Sequence, residues 1–170
     1  MASRSSIAIA STLLLGLGAA QARAGGCDLD KLKSMAEVRT ELAQRAVEVV
    51  SRAAKPEPSA RLSEFVASSA TFSLGAGDVD RPLGVGTKGA ISLAQEMDAD
   101  RFRFLGWDYI PTPARDACGT QKVEVEFVNS RRNEVFPMTF TFKGGLIVDA
   151  AGWSRSFQTG QVRQGPPAYR

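Results

Sequence analysis

Histidine is absent from all 170 residues. The commonest general base and commonest imidazole metal ligand are therefore missing, and with them any Ser-His-Asp or Cys-His arrangement. The two cysteines, Cys27 and Cys118, are too few for a thiolate zinc cluster. The sequence also lacks a dense acidic cluster for a hard cation. Its Lys and Arg do not gather with interleaved aromatics as on a nucleic-acid-binding face. No metal, cofactor or nucleic-acid partner is expected.

Long apolar runs are missing too, with one exception at the N-terminus. Arg4, the run "IAIASTLLLGLGAA" and the small-x-small "ARA" at Ala22, Arg23 and Ala24 read as an export signal, cleaved before Gly25. The run is shorter than the roughly 20 residues of a membrane span, and later segments are less apolar still. The expected organisation is a signal over 1–24, a single α+β domain over 25–160, and a flexible tail over 161–170. Taking Arg4 and Arg23 from the 21 basic residues leaves 19 against 18 acidic, so the exported chain is nearly neutral. Periplasmic or extracellular localisation follows from the signal, with no stable membrane span.

In an exported chain an even cysteine count reads as a disulfide, and here only one pairing exists. A lipid on Cys27 and two free thiols are the alternatives, although Ala24 stands where a lipoprotein signal usually carries Leu.

From Asp28 the apolar residues Leu32, Met35, Leu42, Ala46, Val49 and Ala53 keep helical spacing up to the stop at Pro56 and Pro58. Ser59 is placed to cap a second, shorter helix through Leu62, Phe65 and Val66. A strand "ATFSL" and a Gly-rich stretch lead to a third helix, "AISLAQEM". The period then becomes two: "RFRFLGWDYI", "QKVEVEFV", "VFPMTFTF" and "LIVDAAGW" are strands separated by a Pro/Cys/Gly turn, "NSRRN" and the hairpin turn "KGG".

Within the Gly-rich stretch, "GVGTKG" (Gly84 to Gly89) spells G-x-G-x-x-G. A dinucleotide site needs that pattern directly after a buried parallel strand in a βαβ unit. The preceding "GDVDRPL" is polar and contains Pro82, and hairpins follow. The glycines instead read as a loop leading to Thr87 as a helix N-cap.

Helices followed by hairpin-linked strands imply α+β, with helices packed on one face of an antiparallel sheet. The element order, with "FVASSATF", the G-x-x-G approach to the third helix and the closing "GLIVDAAGWSRSF", resembles the nuclear transport factor 2-like superfamily, which includes ketosteroid isomerases and polyketide cyclases. The resemblance implies a cone of helices on a curved antiparallel sheet, enclosing a pocket, and often a homodimer through the sheet's outer face. Ketosteroid isomerase-like enzymes place a tyrosine and two acids in the cone, yet this chain has no tyrosine in its first long helix. Superfamily dehydratases rely on histidine, which is lacking.

Strand parity selects the remaining site candidates. If "RFRFLGWDYI" runs without a bulge, Asp108 shares a face with Phe102, Phe104 and Ile110; a bulge near Gly106 turns Trp107 and Tyr109 inward instead. Asp149 shares parity with Ile147, Ala151 and Trp153. Asp108 and Asp149 are the candidate bases, with Tyr109 as hydrogen-bond donor, and Phe104, Trp107, Phe140 and Trp153 are the candidate pocket lining. Arg101, Arg103 and Arg155 are candidate anion contacts.

Three functions fit these residues. The favoured one is a non-catalytic exported domain binding a small apolar or amphipathic ligand, or a protein. The others are a histidine-free lyase or isomerase using a buried Asp, and a structural homodimer that exposes Val123 to Phe127 or Phe136 to Phe142.

Overall fold

A computed structural model describes residues 27–58, 60–105 and 116–157. The first turn, Asp28–Lys31, is a short 3-10 helix, and helix α1 begins only at Met35–Ala53. The break has a local cause. Ser34 accepts a hydrogen bond from the Glu37 N–H, while the Glu37 carboxylate accepts one from the Lys33 N–H. This S-x-x-E arrangement is a capping box shifted by one residue, and it fixes the helix start four residues beyond Lys31. Val38, Leu42, Ala46, Val49 and Ala53 form the buried stripe of α1.

The second expected helix is a 3-10 turn over Ala60–Glu64, and Val66 already belongs to strand β1 (Val66–Ala76). Strand β2 (Pro82–Val85) occupies part of the expected Gly-rich loop. Helix α2 (Gly86–Met97) buries Ala90, Leu93, Ala94 and Met97, as its spacing predicts. Thr87 is not its cap: the N-cap is Val85, and no side-chain hydrogen bond closes that end. The glycines are there for packing. Gly86 has φ +62° and lies against the Ser68 carbonyl, while a Cβ on Gly89 would stand 2.6 Å from the Gly84 carbonyl oxygen. Close approach of β2 to the first turn of α2 thus accounts for the G-x-G-x-x-G spelling.

Strands β3 (Arg101–Leu105), β4 (Thr120–Asn129), β5 (Glu134–Lys143) and β6 (Leu146–Ser156) follow. The sheet order is β2-β1-β6-β5-β4-β3. All neighbours are antiparallel except β1 and β6, which are parallel, so the sheet is mixed rather than purely antiparallel. That pairing joins an early strand to the last one, a non-local contact that hairpin spacing does not reveal. Gly144 and Gly145 both have positive φ in the β5–β6 turn, as a tight two-residue hairpin requires.

Both helices pack on one face of this sheet, α1 against β4 and α2 against β1, giving the α+β architecture expected from the superfamily resemblance. The inner face is filled by Phe72, Val125, Phe127, Phe136, Met138 and Phe140. The segments Val123 to Phe127 and Phe136 to Phe142 are therefore core-bearing, and their large apolar side chains are not an exposed interface.

At the opposite end from the α2 C-terminus, Cys27 and Cys118 form a disulfide with Cα atoms 5.7 Å apart, closing a separation of 91 residues. Arg45 reinforces the same region. Its guanidinium pairs with Asp28 at 2.8 Å and with Glu41 at 2.9 Å. Burial works against its charge, but its hydrogen bonds to the Asp28 and Glu41 carboxylates prevail and raise its pKa above the ordinary value.

Candidate functional site

Helix α2 stops at Met97, while the strands beneath it run on. Asp98, in the left-handed conformation, ends the helix. Beyond that point, among the described residues, the inner face of β1, β6 and β5 is roofed only by the β1–β2 turn and by charged side chains. The result is a half-open cleft of about 370 Å³. Leu74, Gly75, Ala76, Phe136 and Ser154 form its floor. Val79, Arg81, Glu96, Arg132 and Glu134 form its rim. Pro137, next to Phe136 in β5, points to the opposite, outer face of the sheet. Having no N–H, it coincides with a lapse in the β5–β6 ladder, where Phe136 and Pro137 make no register pairs.

The rim charges are held in two pairs. Arg81 meets Glu96 at 2.5 Å, and Arg132 meets Glu134 at 2.9 Å. Arg132 also donates from Nη2 to the carbonyls of Glu96 (2.7 Å) and Met97 (2.8 Å), and its guanidinium lies 5.8 Å from the Phe136 ring centroid. These carbonyls belong to the last turn of α2, where a cation suits the helix dipole. Asn129 completes the cap. Its Nδ2 donates to Met97 and Asp98 carbonyls, and its Oδ1 accepts from the backbone N–H groups of Arg131 and Arg132. The turn "NSRRN" is thus the lock on the end of α2 as well as a β-turn.

A smaller cavity of about 160 Å³ lies at the same end, between Val50 of α1, Ala54 just after it, Ala94 of α2, and Phe102 and Phe127 of the sheet. It falls below the roughly 300 to 1,000 Å³ of typical small-molecule sites, a range that the cleft enters. Asp100 borders it and is already occupied by the backbone N–H and hydroxyl of Ser130.

The residues expected from sequence fall elsewhere. Trp107, Asp108 and Tyr109 lie outside the described residues. Asp149 is on the outer face, opposite Thr141 and Thr71, and accepts a hydrogen bond from the Thr71 hydroxyl at 2.6 Å. Its expected parity with Ile147 fails because the register shifts between Thr141 and Phe142, a bulge at Val148 that buries both Ile147 and Ala150. Trp153, also outer, is 39% exposed and lies over Gly75. Phe140 is fully buried and meets Phe127 edge-on at 6.1 Å, as core. Phe104 is half-buried on the inner face, 5.5 Å from Phe102.

Of the arginines expected to contact anions, Arg101 borders the smaller cavity, and Arg155 stands exposed on the outer face. Arg103 Nε lies 2.5 Å from Glu126 Oε1, without hydrogen-bond alignment, so their attraction is ionic. The cleft arginines and glutamates were not among the sequence candidates. Their one sequence signal is the paired Arg131-Arg132 inside an otherwise polar turn.

Among the described residues, Cys27, Asp30 and Cys118 come within 4.8 Å of one another. The two sulfurs are bonded to each other, leaving Asp30 as a lone carboxylate rather than part of a metal set. Its Oδ1 approaches Cys118 Sγ at 2.9 Å, a contact and not a hydrogen bond, since a disulfide sulfur carries no proton.

No family model matches the sequence, and no curated protein matches it significantly. Solved structures of similar fold include an NTF-2-like protein of unknown function from Silicibacter pomeroyi, at 13% identity and TM-score 0.47, covering 70% of this chain and 94% of that one. A de novo designed protein with a curved β-sheet aligns at 15% identity and TM-score 0.42, over 69% of this chain and 87% of the design. A phenazine biosynthesis-related protein from Pseudomonas aeruginosa aligns at 15% identity and TM-score 0.36, over 77% and 88%. These are likenesses of overall fold.

Proposed function

We propose that this chain is an exported, non-catalytic domain that binds a small amphipathic molecule in the cleft beyond α2. The observation that carries the reading is the cleft itself: about 370 Å³, with an apolar floor and a rim of two Arg and two Glu. Such a surface suits a ligand with an apolar body and a polar end. The chemistry at hand favours binding over turnover. Glu96 and Glu134 are each ion-paired, histidine is absent, and Asp149 faces away from the cleft. Export is supported by the N-terminal sequence and by a disulfide of the kind that persists in oxidising compartments.

A thermal-shift screen of apolar and amphipathic molecules tests the reading, with Ser154→Trp as the blocked variant. Ligands should raise the melting temperature of the native chain and leave the variant's unchanged. Equal shifts in both proteins would contradict it.

A second reading, a homodimer through the outer face of the sheet, is favoured by one observation. Pro137, Thr139, Ala151 and Trp153 form a face of largely small side chains with no helix over it among the described residues. Sedimentation at micromolar concentration, with Thr139→Arg as the disrupting variant, distinguishes dimer from monomer.

A further inference from the structure

The two arginines of the cleft differ in what holds them. Arg132 is committed to the Glu96 and Met97 carbonyls, to the Glu134 carboxylate and to the Phe136 ring, and moving it would uncap α2. Arg81 pairs with Glu96 at 2.5 Å, and the two side chains are 53% and 43% exposed. A pair so open to water contributes little, so it can exchange partners at small cost.

Two guanidinium groups also converge on a single residue. Arg81 sits on the carboxylate of Glu96, and Arg132 sits on its backbone carbonyl at 2.7 Å. An incoming cation that took the carboxylate from Arg81 would face Arg132 as well. An incoming carboxylate would take the place of the Glu96 carboxylate at Arg81, while Arg132, on the Glu96 backbone carbonyl, has part of its charge offset by Glu134. Guanidinium binds carboxylate in a two-pronged geometry that few other pairs match. From that head, an apolar chain can lie along Leu74, Ala76, Val79 and Phe136.

We infer that the cleft takes an anionic amphiphile, a molecule with one carboxylate and an apolar body, whose head replaces Glu96 at Arg81. Glu96 is then a built-in competitor that fills the empty site and sets its affinity. The inference rests on the cleft being the binding site.

The test is calorimetric titration of the full exported chain, disulfide intact, with decanoate, decanol and decyltrimethylammonium, with amide chemical-shift mapping of each. Decanoate should bind about fivefold tighter than decanol, the scale of one half-exposed ion pair. Glu96→Gln should tighten decanoate about fivefold and leave decanol unchanged, whereas Arg81→Gln should reduce decanoate to the affinity of decanol. The opposite signs of the two variants separate charge exchange from damage to the fold.

Equal binding of decanoate and decanol, unmoved by Glu96→Gln, would overturn the exchange while the cleft remained the site, provided that shifts map to residues 74–76, 136 and 154. A preference for the cation would overturn it likewise. Absence of shifts at those residues with every probe would overturn the cleft reading and this inference together.

Discussion

Two glycines on β1 and β6 show how unequal superficially similar close contacts are. A Cβ on Gly152 would stand 2.2 Å from the Met138 sulfur and 2.5 Å from the Pro137 carbonyl oxygen. One of those is backbone of a central strand, which cannot yield without shifting the sheet. A Cβ on Gly75 would stand 2.3 Å from the ring of Trp153, but that ring is partly in solvent and can swing away. Gly152→Ala should therefore destabilise by about 2 to 3 kcal/mol, at the upper range for overpacking, in chemical denaturation. Gly75→Ala should cost under about 1 kcal/mol and instead change tryptophan fluorescence. Equal costs would show that Trp153 is pinned. Arg45 works at the same scale: with its pKa raised in the folded state, the stability this shift adds is complete throughout neutral pH and is lost as pH rises through the arginine range.

At the scale of elements, the end of α2 depends on a turn from the other side of the molecule. Asn129→Ala removes two donors to the Met97 and Asp98 carbonyls and the acceptor for two turn N–H groups. It should cost about 2 to 3 kcal/mol, because Asn129 is fully buried and its partners are left unsatisfied. Hydrogen exchange should show faster opening at the C-terminal turn of α2 and at Arg131 and Arg132. Protection unchanged at those amides would contradict the cap. Neither "NSRRN" nor α2 discloses this contact in sequence, because a turn motif specifies its own backbone and not what it docks against. Helical spacing did reveal Ala90, Leu93, Ala94 and Met97 as the inner stripe of α2, and the alternation in "QKVEVEFV" did set Val123, Val125 and Phe127 on one face, though only the structure shows that this face is buried. Parity was reliable only until a bulge intervened. At Val148 one extra residue moved Asp149 to the outer face, and β2 was hidden by Pro82 and Gly84, residues that ordinarily argue against a strand.

At the scale of the whole molecule, the disulfide and the cleft lie at opposite ends of the sheet. The crosslink joins the 3-10 turn before α1 to the approach to β4 across 91 residues. By loop-closure entropy, its reduction should cost about 4 to 5 kcal/mol, read as a fall in denaturation midpoint, while ligand affinity at the cleft stays unchanged in the protein that remains folded. Loss of binding on reduction without loss of stability would place the site near Cys118 instead. The α+β architecture was legible as a sequence of periods. The cleft was not, because it arises where α2 ends short of its strands, a difference in length between elements distant in the chain. The most direct measurement of the central claim is native mass spectrometry of the protein recovered from the periplasm or medium, where the proposed export would deliver it. The account predicts a chain beginning at Gly25, two hydrogens lighter than its reduced form, carrying an additional small molecule that is released on activation and absent from Ser154→Trp. The same added mass on Ser154→Trp, or native protein that stays bare when offered an anionic amphiphile, would contradict it.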